Sequence, residues 1–385
     1  MYSVLLVIIY IAFISLGLPD SVLGSAWPSM YPEMDVPVSY AGIVSMIISA
    51  CTIVSSMNIN RVVARLGTGL MTAISVAMTA AALLGFATSN SFILLCLWSI
   101  PYGFGAGCVD AALNNFVALH YKSKHMSWLH CFWGVGATAG PYIMGFCLAG
   151  GMRWTRGYLI IGILQAILSV ALFFSLPLWK GNDRMQTGED GKVKVLSVRD
   201  ILRMKGAKNV LVAFFCYCCF ESTAGLWASS YMTLHCGIDV ETAARWAALF
   251  YMGITLGRFM SGFVSDRFGD KNMTRIGQGI ALAGGLVLLV FRAPWAVLAG
   301  LLLFGLGCAP IYPSMLHATP DHFGAENSQA LMGVQMGFAY IGITIMPTVF
   351  GWIAEYVSIG LYAAYLLLFL GIQIIFVENL NRQKR

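Results

Sequence analysis

The chain has 385 residues, of which 58% are hydrophobic and only 10% are charged, and its mean hydropathy is +0.77. Soluble proteins carry about 25% charged residues, so this composition excludes an ordinary soluble domain. The formal net charge of +6 indicates contact with the anionic inner surface of a membrane, and no nucleic-acid partner is expected.

Twelve apolar stretches are long enough to cross a bilayer, which takes roughly 20 helical residues. They lie at about 3–27, 37–60, 69–88, 91–119, 127–149, 157–179, 209–234, 242–265, 274–291, 294–317, 328–350 and 356–378. The first is too long, and lacks the basic leading residues, for a cleaved signal peptide. The pattern predicts an all-α membrane protein with twelve transmembrane helices in two pseudo-symmetric bundles of six. The predicted divisions are 1–179, a cytoplasmic linker 180–208, and 209–385.

The charged loops predict the orientation. With the N-terminus inside, the outer side holds only Arg153, Arg156, Arg245 and Arg292 of the 23 Lys and Arg residues. Cytoplasmic loops carry an excess of these residues. We therefore expect a multi-pass protein of a cell membrane, such as a bacterial inner membrane, with both termini in the cytoplasm.

The first stretch contains an acid, Asp20, directly after Pro19. A proline inside a helix frees backbone carbonyl groups and kinks the helix. Asp20 is a candidate ligand for a solute or a proton. The alternative is an acid at the outer helix end in a water-filled vestibule.

The fourth stretch contains Asp110, between Gly103 and Phe116 in the segment G-F-G-A-G-C-V-D-A-A-L-N-N-F. A carboxylate at the bilayer centre costs about 2.5–3.5 kcal/mol on insertion scales, so such residues bind, relay or pair something. Asn114 lies one helical turn later on the same face. Asn114 and Asn115 could bind solute hydroxyl groups, and hydrogen bonding between helices is an equal alternative for Asn115.

Four other side chains within the apolar stretches are candidate solute ligands. His130 could relay protons or donate to a solute, with a structural role as the alternative. Trp133 and Trp227 could stack on the C–H face of a sugar or on a flat ring. The amide of Gln335 could bind hydroxyl groups.

An internal repeat relates the two halves. Asp20-Ser is followed by Gly and by Trp-x-x-x-Tyr, and the same pattern starts at Glu221, about 200 residues later. F-G-A-G-C-V-D at Phe104–Asp110 likewise recurs as F-G-L-G-C-A-P at Phe304–Pro310. Parallel repeats of six helices occur in secondary transporters. Glu221 is therefore a third candidate proton-coupling acid, beside Asp20 and Asp110.

The loop after the eighth stretch reads G-R-F-M-S-G-F-V-S-D-R-F-G-D-K, from Gly257 to Lys271. It resembles the signature loop of the major facilitator superfamily, G-x-x-x-D-R-x-G-x-[KR]. That resemblance implies a twelve-helix transporter in which this loop forms a cytoplasmic latch. We assign Gly262, Asp266 and Arg267 to the latch, together with Arg258 two turns earlier. The counterpart loop after the second stretch lacks the acid.

Within that superfamily, C-V-D-A-A-L-N-N-F-V at Cys108–Val117 resembles the C-x-E-x-A-A-N-P-F-V run of the fucose–proton symporter family. Asp110 stands at the family's Glu, Asn114 matches its Asn, and Asn115 replaces its Pro. Asp20 falls where the family has an Asp. The resemblance implies solute import coupled to protons; it does not carry over the identity of the substrate, because His130 and Trp133 stand where that family has polar amides.

The function that we predict is a proton-coupled secondary transporter that imports a small polar solute, a sugar or polyol, by alternating access. Its partners would be the solute, protons and membrane lipid, and it would act as a monomer. The alternatives are a drug–proton antiporter of the same fold and a non-transporting membrane sensor. We expect no enzyme, metal or cofactor, because the sequence has no nucleophile–base, zinc-ligand or phosphate-loop spacing.

Overall fold

The computed structural model describes residues 2–179 and 196–383, and this part of the chain is almost entirely helical. Its α-helices are α1 Tyr2–Gly17, α2 Val22–Glu33, α3 Ala41–Leu66, α4 Thr68–Thr88, α5 Phe92–His120, α6 Ser123–Ala149, α7 Trp154–Trp179, α8 Val198–Arg203, α9 Ala207–Leu234, α10 Val240–Val290, α11 Pro294–His317, α12 Thr319–Phe323, α13 Ala325–Ile353 and α14 Tyr362–Gln383. Long apolar runs form helices because a bilayer offers no partner to an open backbone group.

Ten helical segments of the described residues are long and apolar enough to cross a membrane. Two of these, Glu241–Val290 and Ala325–Gln383, contain 50 and 59 residues, enough for two crossings each at roughly 20 residues a crossing. The first is interrupted at Gly269, where φ is +73°. The second is interrupted at 354–361, by a π turn and a 3₁₀ turn. The predicted fold class, with twelve transmembrane helices, is therefore confirmed.

The first membrane crossing is broken at the predicted proline. α1 ends at Gly17 and α2 begins at Val22. The four residues between them form a turn, in which the backbone N–H of Asp20 donates to the carbonyl of Gly17 over 3.1 Å. The break places a carboxylate in the middle of an apolar span, because Val4–Glu33 as a whole is one candidate crossing.

Contacts within the chain define two compact units. Unit 1 contains 1–119, 129–196 and 324–337, and unit 2 contains 120–128, 197–323 and 338–385. The start of α6 therefore belongs with the second half of the chain, and the start of α13 belongs with the first half. The sequence-based division into 1–179, a linker 180–208 and 209–385 remains a prediction about domains, and residues 180–195 of that linker lie outside the described part of the chain.

Unit 1 brings α1 close to α6 and α7. Gly136 of α6 lies directly against the backbone carbonyl of Ile14, where a Cβ atom would clash. The amide Nε2 of Gln165 in α7 donates to the backbone carbonyl of Ser15, and the Ser15 hydroxyl donates to Gln165 Oε1 over 2.6 Å. Close backbone approach through small residues, with polar side chains bonding across helices, is typical of membrane bundles.

Unit 2 is held together by tyrosines that donate to backbone carbonyls of neighbouring helices. Tyr217 of α9 donates to Cys308 of α11 over 3.0 Å, Tyr231 donates to Leu288 over 2.9 Å, and Tyr362 donates to Ala224 over 2.7 Å. All three rings are buried. Each contact satisfies a hydroxyl that would otherwise be unpaired in an apolar core.

Candidate solute and proton sites

Asp110 lies in the buried part of α5, with 6% of its surface exposed. The Asn114 side chain donates from Nδ2 to Asp110 Oδ1 over 2.8 Å, and to the Asp110 backbone carbonyl over 2.9 Å. The shared helix face predicted for these two residues therefore produces a direct hydrogen bond. The amide orients a carboxylate that has little access to water.

His130 of α6 extends this pair. Its Nε2 lies 3.0 Å from Asn114 Oδ1. Because an amide oxygen only accepts hydrogen bonds, Nε2 carries the hydrogen. The ring also packs edge-on against Phe13, with 5.5 Å between ring centroids. Asp110, Asn114 and His130 thus form one hydrogen-bonded chain inside unit 1, and both polar ends of the Asn114 amide are occupied by protein.

Asp20 is held by two aromatic donors. Trp133 of α6 donates from Nε1 to Asp20 Oδ2 over 2.9 Å, and the Tyr102 hydroxyl of α5 donates to Oδ1 over 3.2 Å. Asp20 itself keeps solvent-accessible area, and Asp110 is near enough to repel its charge. This cluster contains an accessible acid and two aromatic rings, with a second acid near it.

Tyr102 was not predicted as a site residue. It lies two helical turns before Asp110 on the same helix, and it also stacks on Phe86 at 6.3 Å between centroids. The only signal in the sequence was that spacing within α5. Its contact with Asp20, which is 82 residues away along the chain, depends on helix packing.

Glu221 forms a largely buried ion pair in unit 2. Arg258 of α10 donates from Nη2 to Glu221 Oε1 over 3.1 Å, and the guanidinium lies over the Tyr312 ring, 5.9 Å from its centroid. Arg258 is 5% exposed. Arg258, which we assigned to the latch, is therefore paired with Glu221, a predicted proton-coupling acid. The ion pair carries no net charge.

Asn115 makes its contacts with α13, within unit 1. It donates from Nδ2 to Gln329 Oε1 over 3.0 Å, and its Oδ1 accepts from the Ser328 hydroxyl over 2.6 Å. Gln329 also donates to the Ala111 carbonyl over 3.4 Å. All three side chains are buried. The geometry matches the interhelical alternative for Asn115 rather than the role of a solute ligand.

The remaining predicted ligands are Trp227 in unit 2 and Gln335 in the part of α13 that belongs to unit 1. Trp227 donates from Nε1 to the Pro347 carbonyl over 2.9 Å and packs edge-on against Phe350. Its N–H is therefore used to fix α9 on α13. Gln335 is completely buried in α13.

The latch loop contacts the start of α6. Asp266 accepts from the Lys124 backbone N–H over 3.3 Å, and its carboxylate lies 3.6 Å from the Lys124 ammonium. Gly262 lies directly against the indole of Trp128, which leaves no room for a Cβ atom. Arg267 is exposed on α10. Of the assigned latch residues, Gly262 and Asp266 make these contacts, and Arg258 makes its contact with Glu221.

Comparison with known proteins gives the family. The profile of the Major Facilitator Superfamily matches residues 9–244 and 210–382. An uncharacterized transporter of Sinorhizobium fredii, y4wD, is 26% identical over 300 residues, which cover 74% of each chain. The glucose/mannose transporter GlcP of Bacillus subtilis is 22% identical over 237 residues, which cover 60% of this chain and 58% of GlcP.

A solved structure shares the fold. A variant of the fucose:proton symporter FucP of Escherichia coli superposes with a TM-score of 0.78 over 98% of this chain and 99% of that one, at 16% sequence identity. The agreement extends over nearly the whole of both chains. The chain is a member of the Major Facilitator Superfamily.

Proposed function

We propose that this transporter imports a small polar solute, a sugar or polyol, together with protons, by alternating access across a cell membrane. The observation that carries the proposal is the buried chain Asp110–Asn114–His130. Its carboxylate is 6% exposed and is oriented by a neutral amide at 2.8 Å. A buried, oriented carboxylate in a membrane protein is a site that can take up and release a proton as its surroundings change.

The cluster around Asp20 supports a polar solute. Asp20 keeps solvent-accessible area, and the indole of Trp133 and the phenol of Tyr102 both contact its carboxylate. Sugar-binding sites combine carboxylate or amide acceptors for hydroxyl groups with aromatic faces for C–H surfaces. FucP and GlcP are named for sugar transport, and the same substrate class is what we propose here.

Alternating access assigns roles to the other candidates. Asp110, Asp20 and Glu221 are the candidate proton carriers, and Asn114, His130 and Trp133 lie beside two of them. Gly262 and Asp266 close the side that the charged loops assign to the cytoplasm. Both termini would then be cytoplasmic, as the loop charges predict.

Proton flux in proteoliposomes tests the proposal. The purified protein is reconstituted with a pH-sensitive dye inside, and hexoses, pentoses, polyols, amino acids and cationic dyes are added in turn. We expect internal acidification only with a sugar or polyol, and none in protein-free liposomes. Internal alkalinisation with cationic dyes would instead establish a drug–proton antiporter. If no solute moves protons, and radiolabelled sugars also fail to enter, the chain is not this transporter.

A further inference from the structure

Away from the cluster around Asp20, His317 at the end of α11 connects three elements of unit 2. Its Nδ1 lies 2.6 Å from Asp270 Oδ2 on α10, just after the break at Gly269. Its Nε2 lies 2.9 Å from the backbone carbonyl of Tyr121, which precedes α6. The Ser123 hydroxyl at the start of α6 donates to the other oxygen of Asp270 over 2.5 Å.

With an ionised Asp270 carboxylate, the hydrogen-bond partners of His317 require a doubly protonated ring. A backbone carbonyl only accepts hydrogen bonds, so Nε2 carries a hydrogen. Asp270 Oδ1 already accepts from Ser123, and a carboxylate that pairs with His317 through Oδ2 is an acceptor there as well. Both ring nitrogens are therefore donors, and a histidine with two N–H groups is the cation.

We propose that His317, as an imidazolium, clamps the start of α6 onto α10 and α11, and that this clamp loosens when His317 loses its proton at alkaline pH. A neutral ring has one N–H and cannot donate to Tyr121 and Asp270 together. Deprotonation also leaves the Asp270 carboxylate, which is 13% exposed, without its cation. The clamp is therefore complete at lower pH and is lost as pH rises through the titration of His317.

Other charged groups near the clamp bear on its titration. Asp321, on the short helix α12, is near enough to His317 to interact with it and adds a second negative charge. His125 of α6 is also near His317, and it interacts electrostatically with Lys122, Lys124 and Asp266 as well. The negative charges of Asp270 and Asp321 favour the protonated, cationic form of His317, whereas a protonated His125 would disfavour it.

The clamp gives a role to a segment that the latch loop also holds. Residues 120–128 belong to unit 2, although the rest of α5 and the rest of α6 belong to unit 1. The latch fixes this segment through Lys124 and Trp128, and His317 fixes its beginning. This inference rests on the proposed alternating access. An alkaline cytoplasm would favour release of segment 120–128 and opening of the transporter on its cytoplasmic side.

Two measurements on the full chain in lipid nanodiscs, neither of which needs a solute, test the clamp. The first is nitrogen NMR of protein labelled at its six histidines, with His317 assigned from the signals lost in His317→Gln. We expect both ring nitrogens of His317 to be protonated at pH 6, and one of them to lose its hydrogen at alkaline pH. A ring with one bare nitrogen at pH 6 overturns the proposal.

The second is backbone hydrogen exchange of peptides covering 120–128, corrected at each pH for the exchange rate of the unfolded peptides. We expect protection to fall about tenfold between pH 6 and pH 8.5, the effect of one lost charge-assisted hydrogen bond. His317→Gln should abolish this pH dependence, and His322→Gln, on α12, should retain it. Identical profiles in wild type and His317→Gln overturn the proposal. If His317→Gln does not fold, Asp270→Asn serves in its place and should also flatten the profile.

Because these readouts need no transport, they fail or succeed independently of the proton-flux assay.

Discussion

Trp133 and Asp20 are joined by a hydrogen bond of 2.9 Å between the indole Nε1 and the carboxylate Oδ2. The two residues come from different helices, α6 and the break between α1 and α2. The contact ties the exposed acid of unit 1 to the helix that also carries His130. It therefore links the accessible carboxylate to the element that contacts the buried one.

Replacing Trp133 by Phe should change the pH dependence of uptake. The ring is kept, but Asp20 loses one of its two donors, and the charged carboxylate is less stabilised. The external pH at which uptake is half-maximal should then rise by about one unit, the equivalent of one hydrogen bond. Uptake of the solute found in the proton-flux screen, measured against external pH, checks this. Tyr102→Phe, which removes the other donor, should shift the dependence of uptake on external pH in the same direction. If neither variant shifts it, Asp20 does not take part in proton coupling.

Asp110→Asn should separate transport from coupling. The amide keeps the size of the side chain and imitates the protonated acid permanently. One proton per solute across 100 mV supports accumulation of up to about 50-fold, and the variant should fall to equilibration without accumulation while counterflow exchange persists. Radiolabelled uptake with and without a proton gradient measures both.

The control for that experiment is Asp200→Asn. Asp200 lies on α8, outside the membrane-spanning segments, where hydrogen bonds from Ser197 hold its pKa below the usual range. This variant should accumulate solute as the wild type does. If Asp110→Asn still accumulates solute, the coupling proton is carried by Asp20 or Glu221 instead of Asp110.

The Glu221–Arg258 pair should behave as a unit. Removing one partner of a buried ion pair costs about 3–5 kcal/mol, because the other charge is left buried alone. Arg258→Gln and Glu221→Gln should each lower the midpoint of thermal unfolding in detergent, and the double variant should recover part of that loss. A double-mutant cycle measures the coupling. Additive losses would mean that the two groups do not stabilise each other.

At the latch, packing should matter more than charge. Lys124 and Asp266 are both about one-third exposed at the side chain, and pairs of that kind contribute about 0–1 kcal/mol, at most about fivefold in a population. Gly262→Ala instead forces a methyl group into the Trp128 indole, and overpacking costs about 1–3 kcal/mol. Asp266→Ala should therefore open the latch less than Gly262→Ala does.

Alkylation of a cysteine introduced at Ser265 measures this opening, because Ser265 is buried with its hydroxyl 3.4 Å from that of Ser127. Peptide mapping by mass spectrometry separates it from the native thiols. Faster alkylation in Asp266→Ala than in Gly262→Ala would reverse the ranking of the two interactions.

The parts of the site that could be predicted are those with short-range geometry. Asp110 and Asn114 are four residues apart on one helix, and the period of the helix is enough to bring them together. The break at Asp20 follows from Pro19, whose missing N–H and ring disrupt a helix locally. In both cases the chemistry and the spacing were visible in a few consecutive residues.

Contacts between distant helices were not predictable from one sequence. Asn115 meets Gln329 across 214 residues, and nothing in either segment indicates the other. Arg258 was assigned to the latch because it lies two turns before Asp266, but its helix face directs it to Glu221. His317 carried no recognisable pattern, since its role comes from three elements that meet only in the folded chain.

The membership of 324–337 in unit 1 has a practical consequence for the two halves as separate polypeptides. Gly333 lies against the backbone of Ser56, and Gly337 lies against the side chain of Met57. A fragment ending at residue 179 would leave this face of α3 bare, and a fragment starting at 209 would lack the start of α6. Cutting the chain in its linker should therefore give pieces that are unstable alone and that assemble only when synthesised together.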